Sequence, residues 1–224
     1  MQIQLAKGHR SVTISVLVLL VLSSILSFYD NNYWWIIFIM LGLLVFTIYF
    51  FRDPERDIEN ILEHAIVAPA DGKLFEIAQE EEMTIFRIRM RWHDVHVNRM
   101  PTDGILLEKK KKLGLLIPIQ PFFYRWTKKY NARQTLFFEH PKGFRYRMVQ
   151  ISGILAMRTV CYWKPDLTIH KRGEKFGIIK FGSQTDLYFP TDQISKITEV
   201  GKTVQGGLTV LCYLKGSEII EKAN

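Results

Sequence analysis

The chain is 224 residues long, enough for one domain of ordinary size with appendages, and carries a formal net charge of +8. A basic chain can bind nucleic acid, but no nucleic-acid recognition motif occurs in it, and we expect no such partner. Its two cysteines, Cys161 and Cys212, are too few to staple a domain of this size, so we expect free thiols. The histidines lack metal-ligand spacing, and no metal is predicted.

Two uncharged apolar segments open the chain. Residues Val12–Phe28 and Tyr33–Phe51 each approach the roughly 20 residues that a helix needs to cross hydrocarbon. The connector at 29–32 is short and polar, so we predict a tight transmembrane helical hairpin, and we assign residues 1–51 to it. A cleaved signal peptide would also explain the first segment, but no small-residue cleavage site stands out and the second segment follows at once.

Basic residues flank this hairpin: Lys7 and Arg10 precede it, and Arg52 and Arg56 follow it. By the positive-inside tendency, both ends should lie in the cytoplasm. We therefore expect residues 52–224 to form a domain on the cytoplasmic side of the inner (cell) membrane. Most of the positive charge lies in this domain, and a basic surface beside a membrane is attracted to anionic lipid. The alternative is a solvated basic face without a ligand.

After the hairpin, the sequence changes to short β-branched and aromatic runs separated by glycine turns. Pro54 ends the second apolar segment. Asp71-Gly72 and Asp103-Gly104 are strong turn signals, and the simplest interpretation of both is a hairpin turn. The pattern predicts a mainly β (α+β) domain with few helices, a compact β-sandwich-like unit. The clearest strand-like stretches are 65–79, 82–92, 144–163 and 208–216.

Residues 109–126 are the least usual part of this domain. Four lysines, Lys109–Lys112, run directly into an apolar, aromatic stretch that contains Pro118 and Pro121. The prolines argue against a long helix. Two interpretations stay open: the segment lies at a bilayer interface with its lysines on headgroups, or it is a buried loop beside a solvated lysine run.

Four motifs occur in a fixed order along the soluble part. They are FFRDPER (50–56), VAPADGK (67–73), DVHVNRMPTDG (94–104) and GIIKFGSQTDLYFP (177–190). In these motifs, the chain from about residue 50 to residue 215 resembles the short, membrane-anchored phosphatidylserine decarboxylases. No single motif is specific for this family, but the order and spacing of the four motifs together are.

The resemblance implies that the chain cuts itself between Gly182 and Ser183. The Ser183 hydroxyl would attack the Gly182 carbonyl, an N-to-O acyl shift would give an ester, and elimination with hydrolysis would convert Ser183 to a pyruvoyl group. That group would form a Schiff base with the substrate amine and accept electrons as carbon dioxide leaves, without pyridoxal phosphate. The other Gly-Ser pair, Gly216-Ser217, lacks this context.

The resemblance also implies roles for His96 and Asp71. His96 would be the acid–base residue, since imidazole titrates near neutral pH, and Asp71 would orient it or balance its charge. Longer members carry a second histidine where this chain has Arg99, and whether His93 or Arg99 replaces it is left open. Residues three apart on a strand face opposite sides, which argues against His93. The alternative to these catalytic roles is that His96 is a structural histidine and Asp71 a turn residue.

The implied function is decarboxylation of phosphatidylserine to phosphatidylethanolamine, with a phospholipid substrate in the membrane. The two cleaved chains are expected to stay associated, and a homo-oligomer is allowed. Two alternatives are a non-catalytic, membrane-tethered β-sandwich module and a decarboxylase of a related serine lipid such as archaetidylserine. A serine hydrolase is disfavoured, because the chain has no Gly-x-Ser-x-Gly elbow.

Overall fold

The structure of the protein is a computed structural model. It describes residues 4–120, 123–153, 159–179 and 183–216. Ser183 lies within these ranges, whereas Gly182 and Ser217 lie outside the described residues.

The two apolar segments form helices. They are α1 (Arg10–Tyr29) and α2 (Trp34–Phe50), joined by a single 3-10 turn, Asn31–Tyr33. The Asp30 carboxylate caps that turn by accepting from the Asn32 amide at 2.9 Å. Among the described residues, α1 alone is both long and apolar enough to cross a membrane, while α2 is apolar but has 17 residues. The helices are confirmed; their crossing of a membrane stays a prediction.

The rest of the described chain is mainly β, as the sequence predicts. It holds one short helix, α3 (Tyr124–Tyr130). Its strands are β1 (Ala65–Val67), β2 (Gly72–Glu80), β3 (Met83–Met90), β4 (Val97–Arg99), β5 (Gly104–Lys112), β6 (Arg133–Glu139), β7 (Arg145–Ser152), β8 (Thr159–Cys161), β9 (Ile169–His170), β10 (Lys175–Ile179), β11 (Ser183–Pro190), β12 (Ile194–Ser195), β13 (Thr203–Val204) and β14 (Val210–Leu214).

Eight strands form one antiparallel sheet in the order β13-β2-β3-β11-β7-β6-β5-β9. Two three-stranded sheets, β1-β14-β12 and β4-β10-β8, accompany it. Strand β11 lies at the centre of the large sheet and is buried on both faces over almost its whole length. The mainly β class is therefore confirmed, whereas the sandwich arrangement stays a prediction.

The two Asp-Gly pairs each precede a long strand, but neither closes a hairpin. Strand β1 pairs with β14 and β2 with β3, so Asp71-Gly72 joins strands that are not neighbours, and the hairpin-turn interpretation is wrong. The same holds for Asp103-Gly104, since β4 pairs with β10 and β5 with β6. Gly72 has φ +149°, and a Cβ there would lie 2.3 Å from the Arg89 carbonyl oxygen. Only glycine permits this close backbone approach.

A small apolar cluster joins the end of α2 to the β domain. Phe50 and Phe51 are buried against Val95, Val97 and Ile178, which lie in or beside β4 and β10. Burial of large aromatic side chains is a major source of stability. The helix end is therefore fixed against the strand that precedes Ser183 rather than attached by a loose linker.

Candidate active site

Ser183 is the first residue of β11, in the middle of the large sheet. It pairs with Met90 of β3 on one side and with Ser152 of β7 on the other, and it is fully buried. Its hydroxyl donates to the Met90 sulfur at 3.1 Å. A thioether is a weak acceptor, so the hydroxyl is oriented without being strongly held.

A row of buried amides leads to the same sulfur. Gln134 Nε2 donates to Gln150 Oε1 at 3.0 Å, and Gln150 Nε2 donates to Asn98 Oδ1 at 2.6 Å. The Asn98 amide and the Thr185 hydroxyl approach the Met90 sulfur at 4.0 and 3.9 Å. Sequence analysis missed this amide row (Gln134, Gln150 and Asn98). The available signal was a glutamine inside the otherwise apolar end of β7.

His96 is fully buried, next to the end of β10. Its backbone oxygen accepts from the Ile179 amide at 3.3 Å, four residues before the serine, and the Phe50 ring lies 4.2 Å from its imidazole between centroids. Its Nδ1 lies 2.8 Å from the Asp94 carbonyl oxygen. Since a carbonyl can only accept, Nδ1 carries the proton in the neutral ring and Nε2 presents a lone pair.

Burial lowers the pKa of His96 from 6.5 to about 4, although the Asp94 carbonyl and the charges of Asp94 and Asp71 oppose the shift. The imidazole is therefore neutral at pH 7. Its Nε2 is buried and has no hydrogen-bond partner among the described residues. An unpaired buried nitrogen costs stability, and such groups are frequent at reactive sites. His96 is thus a base with a free lone pair.

Asp71 is held by an arginine rather than by a histidine. Arg56 approaches both of its carboxylate oxygens at 2.7 Å, and the Gly206 amide donates to Oδ1 at 2.8 Å. Such a two-point arginine–carboxylate contact is both strong and directional. No hydrogen bond joins Asp71 to His96 in the described part of the chain, so a role in orienting the histidine stays a prediction.

The segment that leaves α2 contacts three of the candidate residues, His96, His93 and Asp71. Within residues 50–56, which form the FFRDPER motif, Phe50 packs on His96, Arg52 donates to the His93 carbonyl at 2.5 Å, and Arg56 pairs with Asp71. We call residues 50–56 the exit segment. It ties the apolar helices directly to the candidate catalytic residues.

A cavity of about 900 Å³ opens between the helices and the β domain. Val16 of α1 and Leu43 and Phe46 of α2 line it on the helix side, and the β domain contributes Leu116 and the buried Ser183 to the lining. Its lining is predominantly apolar, as is usual for sites that bind lipid or drug-sized molecules. The arrangement can hold an apolar chain beside the helices with a polar end at Ser183.

Comparison with known proteins identifies the family of the chain. The family model for phosphatidylserine decarboxylase matches residues 43–212. The chain belongs to the phosphatidylserine decarboxylase family. A phosphatidylserine decarboxylase proenzyme from Carboxydothermus hydrogenoformans is 32% identical over 206 residues, covering 89% of this chain and 91% of the relative. Proenzymes from Syntrophotalea carbinolica (37% over 185 residues, 79% and 83% covered) and Wolbachia pipientis wMel (34% over 185 residues, 78% of each) are also similar.

Membership of the phosphatidylserine decarboxylase family confirms the prediction of an enzyme, a carboxy-lyase. It also confirms the resemblance that the four motifs carry.

Arg99, at the position of the family's second histidine, has a buried guanidinium with structural contacts. It donates to Asp53 Oδ1 at 3.2 Å, to the Pro54 carbonyl at 2.9 Å and to the Gly173 carbonyl at 3.2 Å. Asp53 also pairs with Lys175 at 2.7 Å. Arg99 therefore holds the exit segment against the strand that precedes the serine.

His93 lies in a turn rather than on a strand. Strand β4 begins only at Val97, so the argument that His93 and His96 face opposite sides of a strand does not apply. The imidazole of His93 is partly exposed, and its Nε2 lies 3.9 Å from Asp94 Oδ1. The structure shows no contact between His93 and Ser183 among the described residues, and its role in catalysis stays open to test.

Proposed function

We propose that this chain decarboxylates phosphatidylserine to phosphatidylethanolamine, with a catalytic group made from Ser183. One observation carries the proposal: the fully buried Ser183 lies at the inner side of an apolar cavity whose other wall is formed by the N-terminal helices. A lipid that keeps its chains among the helices can thereby present its headgroup to this residue. The names of the relatives, which are proenzymes, support conversion of a precursor.

The conversion begins with Ser183 Oγ attacking the Gly182 carbonyl carbon. The new C–O bond replaces the C–N bond, and the serine nitrogen takes up a proton, so the amide becomes an ester. Elimination then breaks the serine Cβ–O bond and releases Gly182 with a free carboxylate. The remaining dehydroalanine tautomerises, and one water replaces its nitrogen, which leaves as ammonia. The weak acceptor at Met90 leaves the hydroxyl available for the first step.

A pyruvoyl group at this position would supply an electrophilic carbonyl that draws electrons from the substrate. The surroundings fit such a group, because the side chains that meet at the Met90 sulfur beside Ser183, Asn98 and Thr185, are neutral and His96 has an unpaired Nε2. We assign two proton transfers to His96 Nε2. It accepts the proton of Ser183 Oγ during cleavage, and it later donates a proton to the substrate α-carbon. A pKa of about 4 makes the protonated ring a ready donor.

Headgroup binding is assigned to Arg89, which lines the cavity beside Met90. Arg91 also lines it but is occupied by Asp94, with both nitrogen–oxygen distances at 3.1 Å. Arg89 has no ion-pair partner within the described residues. Arg89 is paired with Gln184, the residue after the serine, and a guanidinium that lines the cavity suits the phosphate or carboxylate of the substrate headgroup.

The helices are proposed to cross the inner membrane as a hairpin, with the β domain on the cytoplasmic side. At 1.5 Å per residue, α1 spans about 30 Å and α2 about 25 Å, close to the thickness of hydrocarbon. Basic residues at both ends of the hairpin support this orientation. After cleavage the shorter chain would stay bound, because β11 is paired with β3 and β7. A homo-oligomer remains a prediction.

Ser183→Ala tests the proposal, with Ser217→Ala as the matched control. We expect Ser183→Ala to abolish both cleavage and decarboxylation, and Ser217→Ala to leave both intact. Intact-mass measurement would show two chains divided between Gly182 and Ser183, and hydroxylamine would modify the shorter one. A continuous, hydroxylamine-insensitive yet active chain would refute the proposal.

His96→Ala tests the proton carrier. It should slow cleavage or decarboxylation by at least about 100-fold, the range typical of a lost general acid–base group. Mass spectrometry reports the first step and release of carbon dioxide the second. A variant that is fully processed and fully active would remove His96 from the mechanism.

A further inference from the structure

We propose that the β domain carries a second membrane-contact surface, formed by exposed apolar side chains beside the cavity mouth, which inserts into the interface of a bilayer containing anionic phospholipid. This inference rests on the proposed membrane anchoring of the helices. We call the surface the apolar rim; it consists of Trp92, Leu113, Leu115, Leu116 and Trp126.

The rim is unusually exposed for such large apolar groups. Leu113 is 92% exposed, Trp92 63%, Trp126 59% and Leu115 58%. A single exposed apolar residue needs no explanation, but a cluster of them marks an interaction surface. Transfer of such side chains from water into the apolar part of a bilayer interface is favourable.

The rim is continuous with the membrane helices. The Trp92 ring lies 6.4 Å from the Phe46 ring of α2, and Leu116 shares the cavity with Val16 and Leu43. Phe46 precedes the last residue of α2, Phe50, by about 6 Å along the helix axis at 1.5 Å per residue. Trp92 therefore lies beside the last turn of the helix, at the depth where aromatic residues occupy the lipid–water interface.

The backbone behind the rim is fixed by inward hydrogen bonds. Asn131 Nδ2 donates to the Ile117 carbonyl at 2.8 Å and to the Ser152 carbonyl at 2.7 Å, while Asn131 Oδ1 accepts from the Ile117 amide at 3.1 Å. The Leu115 amide donates to the Tyr130 carbonyl at 2.8 Å. With these polar groups satisfied on the protein side, the apolar side chains can enter lipid without exposing bare backbone.

A glycine permits this arrangement. A Cβ at Gly114 would lie 2.2 Å from the Tyr130 carbonyl oxygen, so a side chain there would push the segment away from α3. Ser152, the other end of the Asn131 bridge, is the strand partner of Ser183. The rim is thus held rigidly relative to the reactive serine.

Cations surround the rim. Lys111, Lys112 and Lys129 are exposed, and none has an acidic partner within 4 Å among the described residues. Lysines near a membrane surface are attracted to anionic headgroups. The lysine run lies in strand β5. Leu113 and Leu115 follow it and are exposed, so the interpretation of residues 109–126 as a buried loop is wrong for these two residues. We adopt the interpretation that the segment lies at a bilayer interface.

Tryptophan quenching tests the contact. The chain has five tryptophans, so full-length variants with four of them changed to Phe can retain Trp92, Trp126 or Trp163 alone. In liposomes of phosphatidylcholine and phosphatidylglycerol, lipids brominated near the headgroup should quench Trp92 and Trp126 several-fold more than Trp163. Trp163 is the matched control, because it stacks on His170 and packs against the main core. Equal quenching of all three would overturn the proposal.

A kinetic experiment tests the apolar rim independently of the proposed function. Leu113→Ser with Leu115→Ser should lower decarboxylation of phosphatidylserine in vesicles several-fold and leave turnover of a short-chain phosphatidylserine in detergent unchanged. Ile197→Ser with Val200→Ser, an exposed apolar pair that does not line the cavity, is the control. If the double leucine variant lost no activity in vesicles, or lost activity equally in detergent, the proposal that the apolar rim contacts the membrane would be overturned. An uncut, inactive chain whose Trp92 is still quenched would refute only the proposed function.

Discussion

The two faces of strand β11 have different polar surroundings. On the face of Ser183 and Thr185, the polar contacts are made by amides, a hydroxyl and a thioether, all neutral. On the opposite face, Gln184 and Asp186 lie beside the buried guanidinium of Arg87. Because side chains alternate along a strand, adjacent residues can occupy such different environments.

The charged face is a compact network. Arg87 pairs with Glu76 at 2.9 Å and with Glu80 at 2.7 Å, and its Nε lies 3.7 Å from Asp186. Gln184 Nε2 donates to Asp186 at 2.6 Å. The neutral face, in contrast, has no fixed charge in contact with Ser183 among the described residues. The difference indicates that one face holds β11 in place while the other keeps the reactive residue away from a strong local charge.

Arg87→Met should have the largest effect, since it removes a buried guanidinium that lies beside Asp186 and pairs with Glu76 and Glu80. Because both glutamates stay partly exposed, we expect a loss of about 3 kcal/mol, the lower end of the range for a broken buried ion pair. The free energy of unfolding would be measured by urea titration in detergent micelles, on a Ser183→Ala background so that every sample is one continuous chain.

Arg145→Met is the matched control for Arg87→Met. Arg145 lies in the same sheet, but its side chain is 77% exposed and its contact with Glu139 is 3.7 Å long. Such a pair contributes at most about 1 kcal/mol. If the two arginine variants lost similar stability, the charged face would not have the structural role that we give it.

Gln150→Leu should have a smaller effect on stability and a distinct effect on processing. It leaves Gln134 Nε2 and Asn98 Oδ1 without their partner, which costs about 1–3 kcal/mol. With Ser183 present, cleavage should also slow, because the amide row reaches the sulfur that orients the serine hydroxyl. Urea titration and the time course of cleavage measure the two effects.

Gln79→Leu is the control for the amide row, because Gln79 is exposed on β2. It should change neither stability nor cleavage. A Gln150→Leu chain that is destabilised but cleaves at the normal rate would show that the amide row supports the sheet and not Ser183.

The sequence was sufficient for the local features. The uncharged segments predicted both helices, the β-branched runs predicted β1–β3, β7, β8 and β14, and the order of the motifs identified the family. The Asp-Gly pairs were predicted as hairpin turns, whereas they mark only where β2 and β5 begin. Their partners could not be predicted, because the pairing of β1 with β14 joins residues far apart in the chain.

The contacts of the candidate site were harder to predict for the same reason. Arg99 reaches Asp53 across 46 residues, and Gln150 reaches Asn98 across 52. Only the sheet order brings these side chains together, and no local pattern encodes it. His93 shows the converse problem: a strand was assumed, whereas a tight turn places it before β4.

The charged face of β11 and the buried imidazole of His96 should also differ in the sign of their pH dependence. Burial lowers the pKa of His96 to about 4, so between pH 6.5 and 4 the unfolded chain binds a proton that the folded chain does not, and stability falls on acidification. Burial raises the pKa of Asp186 from 3.8 to about 7, so the folded chain keeps a proton that the unfolded chain releases, and stability falls as pH rises through that range.

Each group changes the free energy of unfolding by up to about 1.4 kcal/mol per pH unit. Between pH 4.5 and 6 the two changes have opposite signs and should nearly cancel. His96→Gln should therefore give a chain whose stability decreases as pH rises, and Asp186→Asn one whose stability increases. Urea titrations at several pH values, again on the Ser183→Ala background, measure both slopes. Two variants with the same slope as the parent would show that neither group titrates as its burial requires, and the contrast between the two faces would then be one of geometry alone.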